Sequence, residues 1–180
     1  MKGKIAVKTG LIAFWCLIGL QRSATISAQS QDKRKLVRTE IRVQGCRFAK
    51  EFRPYELTSA IGWNINRRFF TNLQGEAAIA LFDIDGQKTY QTNYTLGLNA
   101  GYTFVRCDGC SLDARVGTGI KIGKSENWKY HYYDVAVIMH VGKGRCRPSF
   151  GLGVRRYQSH NDLFKDRTRF YATVGMIFGG

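Results

Sequence analysis

The chain has 180 residues, a length that suits one domain, and carries 28 Lys and Arg against 13 Asp and Glu, a net charge of +15. That balance suits nucleic acid, an anionic membrane surface or lipid phosphates, but no element interleaves a basic patch with aromatics as nucleic-acid binding would require. Beyond residue 20 no apolar run approaches the roughly 18 residues of a membrane-crossing helix, which excludes a helical membrane protein.

The first segment reads as an export signal. Lys2, Lys4 and Lys8 form a basic start, the apolar run LIAFWCLIGL follows over residues 11–20, and a polar stretch ends in the small residues Ser27 and Ala28. Ten apolar residues rise only about 15 Å, half of a hydrocarbon core. Trp15 before Cys16 argues against a lipid anchor there. The expected organisation is a signal peptide over 1–28, a short lead over 29–35 and one β-domain over 36–178. Cleavage removes Lys2, Lys4, Lys8 and Arg22 and lowers the net charge from +15 to +11.

After the signal, two-residue alternation recurs between turn-like residues, and it predicts eight strands in chain order. Stretch 36–45 sets Val37, Ile41 and Val43 against Arg38, Glu40, Arg42 and Gln44. Stretch 55–66 sets Leu57, Ile61, Trp63 and Ile65 against Glu56, Thr58, Asn64 and Asn66, and 69–82 sets Phe69, Leu73, Ile79 and Leu81 against Asn72, Gln74 and Glu76. The clearest case is 90–105, where Tyr90, Tyr94, Leu96, Leu98, Tyr102 and Phe104 oppose Gln91, Asn93, Gly97, Asn99 and Gly101. Stretch 111–123 alternates Leu112, Val116 and Ile120 with Asp113, Arg115, Gly117, Gly119 and Lys121. Stretch 130–142 opposes Tyr133, Val135 and Val137 to Asp134 and His140. Stretch 149–157 opposes Phe150 and Leu152 to Gly151, Gly153 and Arg155, and 168–178 opposes Phe170, Val174 and Phe178 to Arg169 and Thr173.

Short connections at 66–68, 106–110 and 142–148 fall on one side. Longer ones at 46–54, 83–89, 123–129 and 159–167 fall on the other, as short periplasmic turns and longer external loops do in an outer-membrane barrel. Alternation alone also fits a soluble lipocalin-like barrel that carries an apolar ligand. A solvated outer face should be rich in Lys and Glu, whereas this polar face holds many glycines, and small residues suit a crowded interior. Its charges, Arg38, Glu40, Glu56, Glu76, Asp113, Arg115, Asp134, Arg155 and Arg169, are of both signs, as an enclosed set needs. On the apolar face Trp63, Phe69, Tyr102, Phe104, Phe150 and Phe178 lie near one end of their strands, and Tyr90, Tyr94, Tyr133 and Phe170 near the other. Two aromatic girdles around an aliphatic band are the expected lipid-facing pattern.

With YTLGLNAGYTF, LDARVGTGIKIG, SFGLGVRRY and the closing RFYATVGMIF, residues 36–178 resemble the small outer-membrane barrels typified by the OmpA membrane domain and OmpX. The resemblance implies an eight-stranded antiparallel up-and-down transmembrane β-barrel in the outer membrane of a Gram-negative bacterium. It also implies insertion by the barrel-assembly machinery through a terminal-aromatic signal, here Phe178 followed by Gly179 and Gly180, and no peptidoglycan-binding second domain. A role in envelope integrity, adhesion or defence is expected, from a monomer without cofactor, metal or catalytic centre.

The remaining candidates are weaker. Cys107, Cys110 and Cys146 fall at the short-turn rim and Cys46 near the opposite one, so at most one disulfide is expected, among the first three. Cys107-Asp-Gly-Cys110 has no helix N-terminus to activate a thiol, and four converging zinc ligands are not expected. Ser159, His160, Asn161 and Asp162 would suit a lipid A-modifying enzyme, but neighbours on a strand point to opposite faces, and a polar loop explains them equally. Gly117-Thr-Gly119 runs along a strand and is no dinucleotide fingerprint. Lys50, Arg53, Lys88, Lys124, Lys129, Lys165 and Arg167 on the long-loop side are available to lipopolysaccharide phosphates, or are simply a solvated rim.

Overall fold

A computed structural model describes residues 37–46, 51–84, 86–122, 130–159 and 166–179. The signal peptide, the lead, Leu36, Lys50, Lys124, Lys129, Lys165 and the residues 160–162 lie outside these. Eight strands follow in order: β1 (Val37–Gly45), β2 (Phe52–Asn64), β3 (Phe69–Ile84), β4 (Gln87–Cys107), β5 (Cys110–Ile122), β6 (Tyr130–Val141), β7 (Cys146–Ser159) and β8 (Arg167–Phe178). Each pairs antiparallel with its neighbours, and β1 pairs with β8, so the sheet is an eight-stranded closed barrel. The predicted eight-stranded antiparallel barrel and each of its predicted strands are present.

The alternation that predicts the strands also sorts their side chains. Along β1 the exposed Val37, Ile41 and Val43 alternate with the buried Arg38, Glu40, Arg42 and Gln44. Closure leaves no unpaired flank along the cylinder and encloses the even-numbered polar set of β1 and β2.

Local chemistry makes the turns. Between β2 and β3 the Asn66 Oδ1 accepts hydrogen bonds from the backbone N–H groups of Arg68 and Phe69 at 2.8 and 2.7 Å, a side-chain turn of the kind asparagine favours. Asp108-Gly109 turns β4 into β5 with Gly109 at φ 86°, which glycine adopts without strain. At the opposite side the connection over 83–89, expected to be long, is shorter: the β3–β4 ladder runs out to Ile84 opposite Gln87, with Gly86 at φ 79°.

Two further differences come from backbone irregularities. β2 and β7 begin three residues earlier than expected, each including a proline, Pro54 and Pro148, near its start where a missing N–H is tolerated. A bulge between Thr103 and Val105 inserts Phe104 as an extra residue opposite β5. The ladder between β1 and β8 is the shortest of the eight, running from Thr39 opposite Phe178 to Gly45 opposite Ala172.

Candidate functional site

The lumen is filled in layers, beginning at the short-turn end. Glu40 accepts from Arg38 Nη2 at 2.5 Å and from Arg115 Nη1 at 2.6 Å, with Arg42 Nε 3.6 Å away. Asp113 accepts from Thr103 Oγ1 at 2.8 Å and from Arg38 Nη2 at 3.2 Å, and His140 Nε2 lies 3.0 Å from its Oδ2. The Phe70 ring supports this layer, with the Arg38 and Arg115 guanidinium carbons 3.9 and 5.1 Å from its centre. At mid-height Gln74 Oε1 accepts from Arg42 and Asn99, while its Nε2 donates to Tyr132 Oη at 2.5 Å.

A second layer is organised by Arg155. Its Nη1 reaches Glu76 at 2.7 Å and Glu56 at 3.2 Å, and its Nη2 reaches Asp134 at 2.7 Å. Tyr157 donates to Glu56 at 2.5 Å and Tyr171 to Asp134 at 2.6 Å. Buried charges are tolerable only when fully paired and hydrogen-bonded, and these carboxylates meet both conditions. In strand order β1 lies opposite β5, and β3 opposite β7. Glu40–Arg115 and Glu76–Arg155 are therefore two struts that span the barrel diameter.

Beside the expected polar and charged side chains, the lumen also holds a set of rings above the charged layers. Phe52, Phe82, Tyr130 and Tyr157 form an aromatic cluster with neighbouring ring centres 5.1–5.3 Å apart, completed by Ala78, Ala80 and Tyr132. Phe70, Ile138, Tyr171 and Ile177 also face inward and are buried. Parity would have found them: Tyr130 and Tyr132 are in phase with Asp134, Tyr157 with Arg155, Tyr171 with Arg169, and Phe52 with Glu56. The inward glycines make room for these rings. A Cβ on Gly119 would lie 2.3 Å from the Tyr132 ring, and one on Gly101 2.1 Å from that of Phe70. An interior cavity between Arg42, Gln74, Asn99 and Arg115 has a volume of about 10 Å³, at the lower limit for one water.

Of the predicted interior charges, Arg38, Glu40, Glu56, Glu76, Asp113, Arg115 and Arg155 are buried in these layers. Asp134 joins them half-buried. Arg169 also faces inward, but at the long-loop mouth and apart from the struts, donating to the Thr168 carbonyl with its guanidinium 5.8 Å from the Phe52 ring. Arg42 is an interior charge that the reading of candidate sites passed over.

The outer face is the reverse. Trp63, Tyr90, Tyr94, Phe104, Tyr133, Phe150, Phe170 and Phe178 are exposed, and Phe69 and Tyr102 half-buried with ring centres 4.7 Å apart. Between them lie Leu98, Val116, Val137, Leu152 and Val174, all exposed. No protein-family model matches the chain, and no curated protein does. The barrel must be interpreted from its own chemistry.

Of the groups weighed for catalysis, His160, Asn161 and Asp162 lie outside the described residues. His140 is held in the Asp113 layer, and the Ser159 backbone N–H donates to Asp166 at 3.0 Å. Cys46, Cys107, Cys110 and Cys146 are free thiols. Cys107 and Cys110 sit directly opposite each other across their turn. Cβ atoms in such strand pairs are about 4.5–5.5 Å apart, wider than the roughly 3.8 Å of a disulfide. Cys46 is buried at the far end of β1.

Proposed function

We propose that the barrel spans the outer membrane of a Gram-negative bacterium with its short turns in the periplasm. It acts as a monomeric structural or surface-interaction protein, of the kind that the OmpA membrane domain and OmpX typify. The observation that carries this reading is the polarity of the wall: large apolar side chains are exposed on all eight strands, while the charges of the Glu40–Arg115 and Glu76–Arg155 layers are enclosed and paired. Removing one such side chain from water contributes roughly 1.5–3 kcal/mol. A belt drawn from eight strands therefore outweighs the whole stability of an ordinary domain, about 5–15 kcal/mol. Left in water it would be an apolar patch larger than soluble monomers carry.

A soluble carrier of an apolar ligand needs the opposite arrangement, with an oily cavity inside. The struts and aromatic cluster occupy that space, which also argues against an open pore. A lipid A-modifying enzyme is the third reading, and mass spectrometry of lipid A from expressing cells tests it. Outer-membrane lipid and the barrel-assembly machinery are the proposed partners. Lipopolysaccharide is a further one through the long-loop side, where Arg53, Lys88 and Arg167 stand.

Extraction and gel migration test the membrane reading. The folded chain should require detergent and migrate differently before and after heating. A monodisperse protein in plain buffer would overturn it.

A further inference from the structure

At the short-turn end the rim is basic. Arg67, Arg68 and Arg106 converge on an open pocket of about 400 Å³ between the β2–β3 turn and the bulged end of β4, and Thr103, Phe104 and Val105 complete its lining. No carboxylate lines it. A contiguous cavity of about 30 Å³ at the lumen mouth shares the three arginines and adds Arg38 and Arg147. Its one carboxylate, Asp113, is already engaged by Thr103, Arg38 and His140. The rim carboxylate Asp108 is paired with Lys143. Arg67 and Arg106 have no ion pair among the described residues.

The pocket is held in shape. The Thr103 N–H donates to the Arg68 carbonyl at 2.8 Å, which ties the turn to β4. The Arg68 Nη1 donates to Tyr102 Oη at 2.8 Å, and Asn66 fixes the turn from within. Arginine forks match phosphate oxygens in geometry and charge, and an anion here would relieve the repulsion among three guanidinium groups. The other wall is not polar. The bulge puts the exposed Phe104 beside Val105, next to the Phe69–Tyr102 pair of the girdle. A free anion has no use for that wall, whereas a lipid presents phosphate and hydrocarbon side by side.

We propose that this pocket binds the phosphodiester of an anionic phospholipid in the periplasmic leaflet, with Arg67, Arg68 and Arg106 on the phosphate and Phe104 and Val105 against an acyl chain. The site rests on the membrane reading above, because only there does the girdle meet lipid headgroups.

The full chain, purified in a non-ionic detergent, is titrated with phosphatidylglycerol, with diacylglycerol and with inorganic phosphate, and bound lipid is read by native mass spectrometry. Phosphatidylglycerol should bind and diacylglycerol should not, and inorganic phosphate in large excess should fail to displace the lipid. R67Q/R106Q removes two charge-assisted contacts and should weaken phosphatidylglycerol about tenfold or more. R67K/R106K, which keeps the charge but loses the fork, should fall between, and R156Q at the opposite end should bind as the parent chain does. Heat-dependent migration establishes that each variant is folded. Unchanged lipid binding by folded R67Q/R106Q would overturn the site, and displacement by inorganic phosphate would overturn the lipid as its occupant. A chain that stays monodisperse without detergent would overturn the membrane reading and the site together, whereas the other two results leave that reading intact.

Discussion

Arg155 of β7 and Glu76 of β3 meet at 2.7 Å across the full width of the barrel, each side chain 1% exposed or less. The contact joins strands that share no backbone hydrogen bond, so it stiffens the cylinder in a direction the sheet cannot. Glu40 and Arg115 do the same for β1 and β5 at 2.6 Å.

Arg155→Leu should therefore cost more than any surface change. It leaves Glu56, Glu76 and Asp134 without their shared cation, and breaking a buried pair from one side costs about 3–5 kcal/mol. Urea unfolding in detergent, followed by heat-modified migration, should show a correspondingly lower midpoint. Glu76→Gln, which keeps a hydrogen-bonding side chain, should cost less. Equal losses from both would mean that charge pairing is not what the strut supplies.

The fit between rings and glycines gives a second test. Gly119→Ala puts a methyl 2.3 Å from the Tyr132 ring, and overpacking of this kind costs about 1–3 kcal/mol. Adding Tyr132→Val should restore part of the loss by vacating the space. A double variant less stable than the sum of the single ones would argue against steric conflict.

Depth along the outer wall supplies a third. Leu98 stands opposite Leu73 near the middle of β4, and Tyr90 lies near the long-loop end. In a bilayer, Leu98→Arg should cost about 2–4 kcal/mol and Tyr90→Arg about 0–1 kcal/mol. In a water-soluble barrel both would be small, because exposed substitutions rarely exceed about 0.5 kcal/mol. Reversible unfolding in lipid vesicles measures the difference, and equal small costs would sink the membrane reading.

The thiols report on topology. In the folded, reduced protein a bulky maleimide should modify Cys107 and Cys146, which are exposed, while buried Cys46 reacts only after unfolding. Peptide mapping by mass spectrometry reads the sites. Rapid labelling of Cys46 in the folded chain would show that the end of β1 is not packed as described.

Much of this was legible beforehand because a strand's two-residue period is the period of its environment. Val37, Ile41 and Val43 alternate with Arg38, Glu40 and Arg42 wherever β1 goes, and closure only decides which set is inside. Features that depend on partners across space were harder to see. Parity places Tyr132 inside, but not its fit, which depends on Gly97 of β4 and Gly119 of β5 leaving room beside the ring. The Arg155 strut joins residues 79 positions apart, beyond the reach of any local pattern. Pro54 and Pro148 make β2 and β7 look shorter in sequence than they are, and the polar residues over 83–89 look like a loop although β3 and β4 pair as far as Ile84 and Gln87. The three-arginine pocket needs the bulge at Phe104, which alternation does not announce.

The seam between β1 and β8 is the shortest ladder among the described residues, seven pairs from Thr39 opposite Phe178 to Gly45 opposite Ala172. It is also where the two ends of the chain meet, so it holds the ring shut with fewer backbone hydrogen bonds than any other seam. When the cylinder unfolds it should therefore unzip first at the junction between its earliest and latest strands.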